Sequence, residues 1–155
     1  MRTGSSAPWA ATACLMALGV APLAQATDTF KAELGWVPIG GAERNDVAGA
    51  GSATATLDGS RLSITGSFDG LPGKATAAKL HEGVAKGARG AGTAIAELHV
   101  TGGTSGTMSG DVRLSANQIE ALKAGRLYLQ IYSEKGVQPD HSTLLGWLAN
   151  EGARR

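Results

Sequence analysis

The chain has 155 residues, a formal net charge of +1, 23 glycines and few aromatic side chains. The length suits one domain, and the glycine content disfavours a long-helix bundle because each glycine costs about 1 kcal/mol in a helix interior. A charge so near zero excludes nucleic-acid or anionic-membrane binding driven by bulk electrostatics. The apolar fraction of 43% excludes a disordered chain. We therefore predict a small, mostly β domain.

Residues 1–26 have the pattern of a secretory signal peptide. A single basic residue, Arg2, precedes an apolar stretch at 10–20, and a small-residue A-x-A triplet ends at Ala26. The apolar stretch is shorter than the roughly 20 residues that span a bilayer. We expect cleavage after Ala26, export to the periplasm or the extracellular medium, and no stable membrane insertion after cleavage.

Cleavage would remove the only cysteine, Cys14, and would leave 129 residues with equal numbers of acidic and basic side chains. The exported domain would have no disulfide, so its core must supply the stability alone. We expect this domain to span residues 27–150, followed by a polar, frayed tail at 151–155.

Short strand patterns alternate with turn residues through the mature chain. In the first pattern Phe30, Ala32, Leu34 and Trp36 share one face, and we expect Trp36 and Trp147 in the core or at its rim. Seven or eight strands at this spacing indicate an antiparallel β-sandwich or a small barrel. The predicted strands cover residues 30–36, 51–57, 61–68, 75–81, 93–100, 107–114, 126–132 and 142–149.

One short helix interrupts the strand patterns near residues 115–124. Ser115 and Gln118 have the S-x-x-Q spacing of a capping box, in which side chain and backbone satisfy each other at the helix start. Gly125 supplies the stop at the other end.

Four segments between about residue 29 and residue 148 follow one another in a characteristic order: TFKAEL, GAGSATATLDGSRLSITGSFDGLPGKATAAKLHEG, LSANQIEALKAGRLYLQIY and LLGWLA. Framework positions within them include Leu71, Gly73, Leu114, Leu122, Gly125, Leu127 and Tyr128. In these segments and positions the chain resembles the CHRD domain, which is named after chordin and occurs in many secreted bacterial proteins. The resemblance implies an all-β fold, an immunoglobulin-like or superoxide-dismutase-like antiparallel β-sandwich, and implies no established catalytic activity.

The polar positions of that pattern differ in this chain. Lys79-Leu80-His81 stands where the family has His-x-His, and Gln130-Ile131-Tyr132-Ser133 stands where it has Asn-x-His-Thr. One of three recurring histidines therefore remains. A lysine ammonium opposes a bound cation and a phenol is a poorer ligand than imidazole near neutral pH, so any metal site that these positions form in the family is largely lost here.

Other constellations give weaker signals. His81, His99 and His141 lie on separate segments, so only tertiary folding could assemble a metal site from them. Glu97 and His99 share a strand face, which favours a solvated polar face over a ligand pair. The chain contains no G-x-S-x-G elbow, and the glycine-rich loop at 83–92 lacks a phosphate-binding lysine motif. A third possibility is a role as a subunit or partner of a periplasmic redox complex. The sequence has no C-x-x-C-H haem-attachment segment, so the partner would have to carry the redox centre.

These observations predict an exported, non-enzymatic binding or structural module that needs no cofactor and does not bind nucleic acid. Its partner would be an unidentified extracytoplasmic protein or a small ligand. We place the contact area at Lys79, His81, Tyr132 and His141, beside the loop at 83–92. The alternative is a superoxide-dismutase-like periplasmic protein that binds copper or zinc through His81, His99 and His141.

Overall fold

A computed structural model describes residue 4 and residues 27–37, 47–84 and 92–151. The predicted signal peptide, apart from Gly4, and residues 152–155 lie outside the described residues. The strands are β1 (Asp28–Trp36), β2 (Ala50–Asp58), β3 (Arg61–Asp69), β4 (Ala75–Glu82), β5 (Thr93–Val100), β6 (Gly106–Arg113), β7 (Leu127–Val137), β8 (Ser142–Trp147) and β9 (Ala149–Asn150), and the helix is α1 (Ala116–Lys123).

The strands form one antiparallel sheet that closes on itself. Its order is β2-β3-β6-β5-β4-β7-β8-β1, and β1 also pairs with β2, so eight strands complete a barrel. The short strand β9 pairs with the same edge of β1 as β8 does, opposite β2. Strand β1 makes the closure by changing partner. Its residues Asp28 to Leu34 pair with β2, and Gly35 and Trp36 pair with β8.

The predicted sandwich is wrong, because the sheet has no break between two layers. In a sandwich the two sheets would not be hydrogen-bonded to each other at their edges. Here short strand pairings join those edges: Gly35 pairs with Leu145 between β1 and β8, and His99 pairs with Ser109 between β5 and β6. We call the β1–β8 pairing the closing seam. Strand alternation is the same in a sandwich and in a barrel, so the sequence pattern could not separate them. Closure satisfies the backbone groups that open strand edges would leave unpaired.

The core lies inside the barrel and follows the predicted alternation for most of β1. Phe30, Ala32 and Leu34 are buried, with at most 3% of their surface exposed. The prediction for Trp36 is wrong: its side chain is 58% exposed. It follows the change of partner from β2 to β8, and the next residue, Val37, is the buried one.

Helix α1 is capped at both ends as the sequence predicts. Ser115 Oγ accepts from the backbone N–H of Gln118, and Gln118 Oε1 accepts from the backbone N–H of Ser115. Gly125, at φ 69°, ends the helix with two bonds of the Schellman type, Gly125 N–H to Leu122 O and Arg126 N–H to Ala121 O. Within the described part of the chain, no helix has the length and apolar character needed to span a membrane.

Candidate functional site

The candidate site lies on the outer face of β4, β7 and β8. In the antiparallel register, His81 stands opposite Tyr128, and Tyr128 stands opposite Trp147. Residues directly opposite each other share a face, and this face is the one turned away from the core side chains of Leu80 and Leu129. The strands therefore place His81, Tyr128, Tyr132 and Trp147 side by side, a set we call the aromatic cluster.

The rings of the aromatic cluster contact one another in series. His81 Nε2 lies 3.0 Å from the Tyr132 hydroxyl oxygen. The His81 ring stacks on Tyr128, with centroids 5.0 Å apart and planes 10° apart. The Trp147 ring tilts against Tyr128 at 4.7 Å. Because His81 is only 7% exposed, hydrogen bonding and stacking together fix its orientation.

The two described ends of the glycine-rich loop pack directly on this cluster. A Cβ atom on Gly83 would lie 2.7 Å from the Trp147 ring, and one on Gly92 would meet the Tyr128 hydroxyl. The backbone therefore touches the rings where a side chain would have no space. Residues 85–91, part of the predicted contact area, lie outside the described residues.

Lys79 and Tyr132 form the more accessible part of the site. The Lys79 ammonium lies 5.4 Å from the centroid of the Tyr132 ring, within the range of a cation–π contact. Both side chains are half-buried. Among the described residues, no carboxylate is within ion-pair distance of Lys79, although Glu97 stands opposite it on β5.

The turn between β7 and β8 brings a carboxylate that the sequence analysis did not assign to the site. Asp140 Oδ1 accepts hydrogen bonds from the backbone N–H and the hydroxyl of Ser142, and its charge acts on both His81 and Tyr132. His141, which the sequence predicted in the contact area, is exposed beside it at φ 61° and contacts Gln138. Only the register of the hairpin, which a one-strand pattern does not contain, could have indicated Asp140.

Burial sets the protonation of the cluster. Burial lowers the pKa of His81 and the Lys79 charge lowers it further, while the Gly92 backbone and Asp140 oppose that shift. Burial also raises the pKa of Tyr132 to about 12, with smaller contributions from Asp140 and Tyr128. At neutral pH the hydrogen bond therefore joins a neutral imidazole to a neutral phenol. Within the described residues, the buried His81 Nδ1 has no hydrogen-bond partner.

The lowered pKa of His81 makes stability depend on pH. In the unfolded chain the imidazole takes up a proton near its ordinary pKa of about 6.5, whereas the folded protein resists protonation at that pH. The unfolded state then binds more protons, so the free energy of unfolding falls as the pH drops below about 6.5, until the folded pKa is passed. We therefore expect the urea concentration at half-unfolding to decrease when the pH is lowered from 8 to 5.5.

His81→Gln should flatten this pH profile, and His99→Gln is the matched control because His99 is exposed. If the difference in urea midpoint between pH 8 and pH 5.5 is the same for the original chain and for His81→Gln, the buried neutral imidazole is not its source.

The alternative metal set is not assembled. His99 lies five residues along β5 from Ala94, the residue opposite His81, which is about 16 Å at the rise of a strand. His141 is on the exposed turn. Over the described ranges, no three His, Cys, Asp or Glu side chains form a group that could hold a metal ion.

These features define a closed antiparallel barrel that carries a packed aromatic and histidine cluster on its outer face. The chain belongs to the CHRD domain family: the model of the CHRD domain matches residues 37–139, which confirms the resemblance. The match begins after β1 and ends in the turn before β8. Comparison with curated proteins gave no significant match, and comparison with solved structures gave none either.

Proposed function

We propose that this CHRD domain is an exported, non-enzymatic binding module that contacts its ligand through Lys79 and Tyr132, with Asp140 at the margin. The observation that carries the proposal is the hydrogen bond between His81 and Tyr132, which holds the phenol beneath an ammonium that has no ion pair in the described residues. The ligand is an extracytoplasmic protein or a small molecule. The predicted signal peptide supports the exported location.

The protonation of the site favours binding over acid–base catalysis. A general base works best with a pKa near the operating pH, whereas the Tyr132 pKa of about 12 keeps this phenol protonated at neutral pH. His81 is buried, and its Nε2 is engaged by Tyr132. The hydrogen bond to His81, which itself stacks on Tyr128, holds the Tyr132 ring before a ligand arrives, so little side-chain entropy is lost on binding.

The chemistry of the surface indicates the ligand it would take. The Lys79 ammonium can donate to a carboxylate, phosphate or carbonyl oxygen. The half-buried ring of Tyr132 offers an apolar contact next to a polar hydroxyl, the combination that makes tyrosine common at interfaces. A ligand with an acceptor oxygen next to a flat or apolar group would meet both features.

Site-specific photo-crosslinking tests the proposal. A benzophenone amino acid is introduced at Tyr132 in the full chain, which is produced in its own host and recovered from the exported fraction. We expect irradiation to give discrete products, proteins on gels or a small-molecule adduct by intact mass, whose yield falls at least fivefold with Lys79→Ala. The matched control carries the benzophenone at Thr65, which is exposed on β3 in the opposite wall.

Identical products from positions 132 and 65, or a yield that Lys79→Ala leaves unchanged, would contradict the proposed contact surface. Stoichiometric copper or zinc in the purified exported protein, lost on His81→Ala, would favour the metal-binding alternative and overturn the proposal.

A further inference from the structure

A second surface, on β1, β2 and β3, is centred on the exposed indole of Trp36 at the end of β1. At 58% exposure, Trp36 is one of two large apolar side chains that are exposed in the described part of the chain, and the other is Val84. This surface is independent of the proposed function, which uses β4, β7 and β8.

The indole is held in a fixed orientation. Its Nε1–H donates to the backbone carbonyl of Gly49 at 2.9 Å. This nitrogen is the only polar atom of the side chain, so the rest of the ring system is left as an apolar face. A ring held in place loses less conformational entropy when a ligand stacks on it than a mobile ring does.

A shallow groove of about 470 Å³ begins next to Gly49, whose carbonyl accepts the hydrogen bond from the indole. Ala50, which follows Gly49 in the chain, belongs to its wall, and the other lining residues are Glu33, Gly51, Ser52, Ser67, Phe68 and Asp69. The groove runs across β1, β2 and β3, and its lining residues on β2 have short side chains or none. An extended segment could therefore approach the sheet closely.

Among the described residues that line the groove, the two ionisable side chains are the carboxylates of Glu33 and Asp69. Glu33 is exposed and makes no hydrogen bond or ion pair with the described residues, while Asp69 accepts a hydrogen bond from Ser105. Lys31, two residues from Glu33 on β1, is 2.5 Å from Glu151 and so is neutralised by its own partner. The charges of the described lining residues therefore favour a cationic occupant.

We propose that this groove binds an extended, arginine-bearing segment of a partner protein. The guanidinium group stacks on the apolar face of Trp36, the aromatic side chain that gives the strongest cation–π contacts, and a guanidinium hydrogen atom is donated to the Glu33 carboxylate. Arginine fits better than lysine because its planar group stacks and donates at the same time. Exposed tryptophan and arginine are also the residues enriched at interface hot spots.

A peptide titration of the exported protein tests this assignment. The probe is a blocked five-residue peptide with two arginines separated by glycine, and binding is followed by NMR shifts of the Trp36 indole N–H and of residues in β2. We expect saturable binding that weakens with added salt. The matched peptide has citrulline in place of arginine, which keeps the shape and removes the charge, and it should bind at least tenfold more weakly.

Two variants locate the binding. Trp36→Ala should raise the dissociation constant at least tenfold, and Glu33→Gln should raise it about threefold. The control Glu97→Gln removes an exposed carboxylate on β5 and should leave the dissociation constant unchanged. Equal binding of the citrulline peptide, or no effect of Trp36→Ala and Glu33→Gln, would overturn the proposal. So would binding of free arginine or spermine as tight as that of the peptide, because that result indicates a small-cation site.

Discussion

Replacing Phe30 by alanine is expected to lower the free energy of unfolding by about 3–5 kcal/mol, the usual loss for a fully buried phenylalanine. Phe30 has no exposed surface, and it stands opposite Ala55 in the register of β1 and β2. Its neighbours on the inner face of β1 and β2 include Ala32 and Ala53, which are too short to fill the cavity. Urea denaturation at pH 8 measures the change.

The matched control for this prediction is Thr65→Ala. Thr65 also lies in a barrel strand but its side chain is exposed on the outside, so its replacement should change stability by less than about 0.5 kcal/mol. The total stability of a domain this size is about 5–15 kcal/mol, and Phe30→Ala would remove a large share of it. A loss smaller than about 1.5 kcal/mol would mean that the barrel interior collapses around the missing ring.

Replacing Gly146 by alanine is expected to destabilise the barrel by about 2–3 kcal/mol, near the upper end of the usual overpacking range. A Cβ atom at this position would lie 2.6 Å from the backbone oxygen of Glu33 and 2.8 Å from a methyl group of Leu34. Glu33 and Leu34 are where β1 leaves β2 to pair with β8. The added methyl group would push against backbone at this closing seam, where a rotamer change gives no relief.

Gly35→Ala provides the comparison, because Gly35 lies in the same seam, yet a Cβ atom there would have no neighbour within 4 Å. Its replacement should be neutral or slightly stabilising, since alanine restricts the unfolded chain more than glycine does. Thermal unfolding of the two variants and the original chain measures the contrast. Equal melting temperatures for Gly146→Ala and Gly35→Ala would show that β1 does not cross β8 this closely.

Local features of the fold could be predicted from the sequence because they depend on neighbours in the chain. The helix with its Ser115 cap and Gly125 stop is one example, since both signals lie within a few residues of the bonds they make. The alternation from Phe30 to Leu34 is another, because it needs only a strand with one buried face.

Features that depend on register between distant strands could not be predicted in the same way. Closure depends on β1 meeting β8, more than 100 residues later in the chain. The contact of Tyr128 with His81 and Trp147 requires the alignment of three strands. The alternation predicts Trp36 in the core or at its rim because its spacing continues that of Leu34. The change of strand partner between the two residues is absent from a one-dimensional pattern.

The family match and the closed barrel do not have the same limits. Residues 37–139 include strands β2 to β7, and they exclude β1, β8 and β9. Trp147 of the aromatic cluster therefore lies beyond the matched range, as does the whole closing seam. A fragment limited to residues 37–139 would lack the strands that join β2 to β7, and would expose their free edges to association.

Closure by the first and last strands also determines how the domain would be presented when it is joined to something else. Phe30 pairs with Asn150, and Lys31 binds Glu151, so both ends of the folded region leave the barrel at the rim that holds α1. Trp36 lies at the other end of β1, about 26 Å away at the rise of a strand. A tether or fused protein at either terminus would therefore orient the barrel with the Trp36 rim pointing outward. A short linker between the two ends would similarly permit circular permutation, with new termini opened in the turn at Asp58–Gly59.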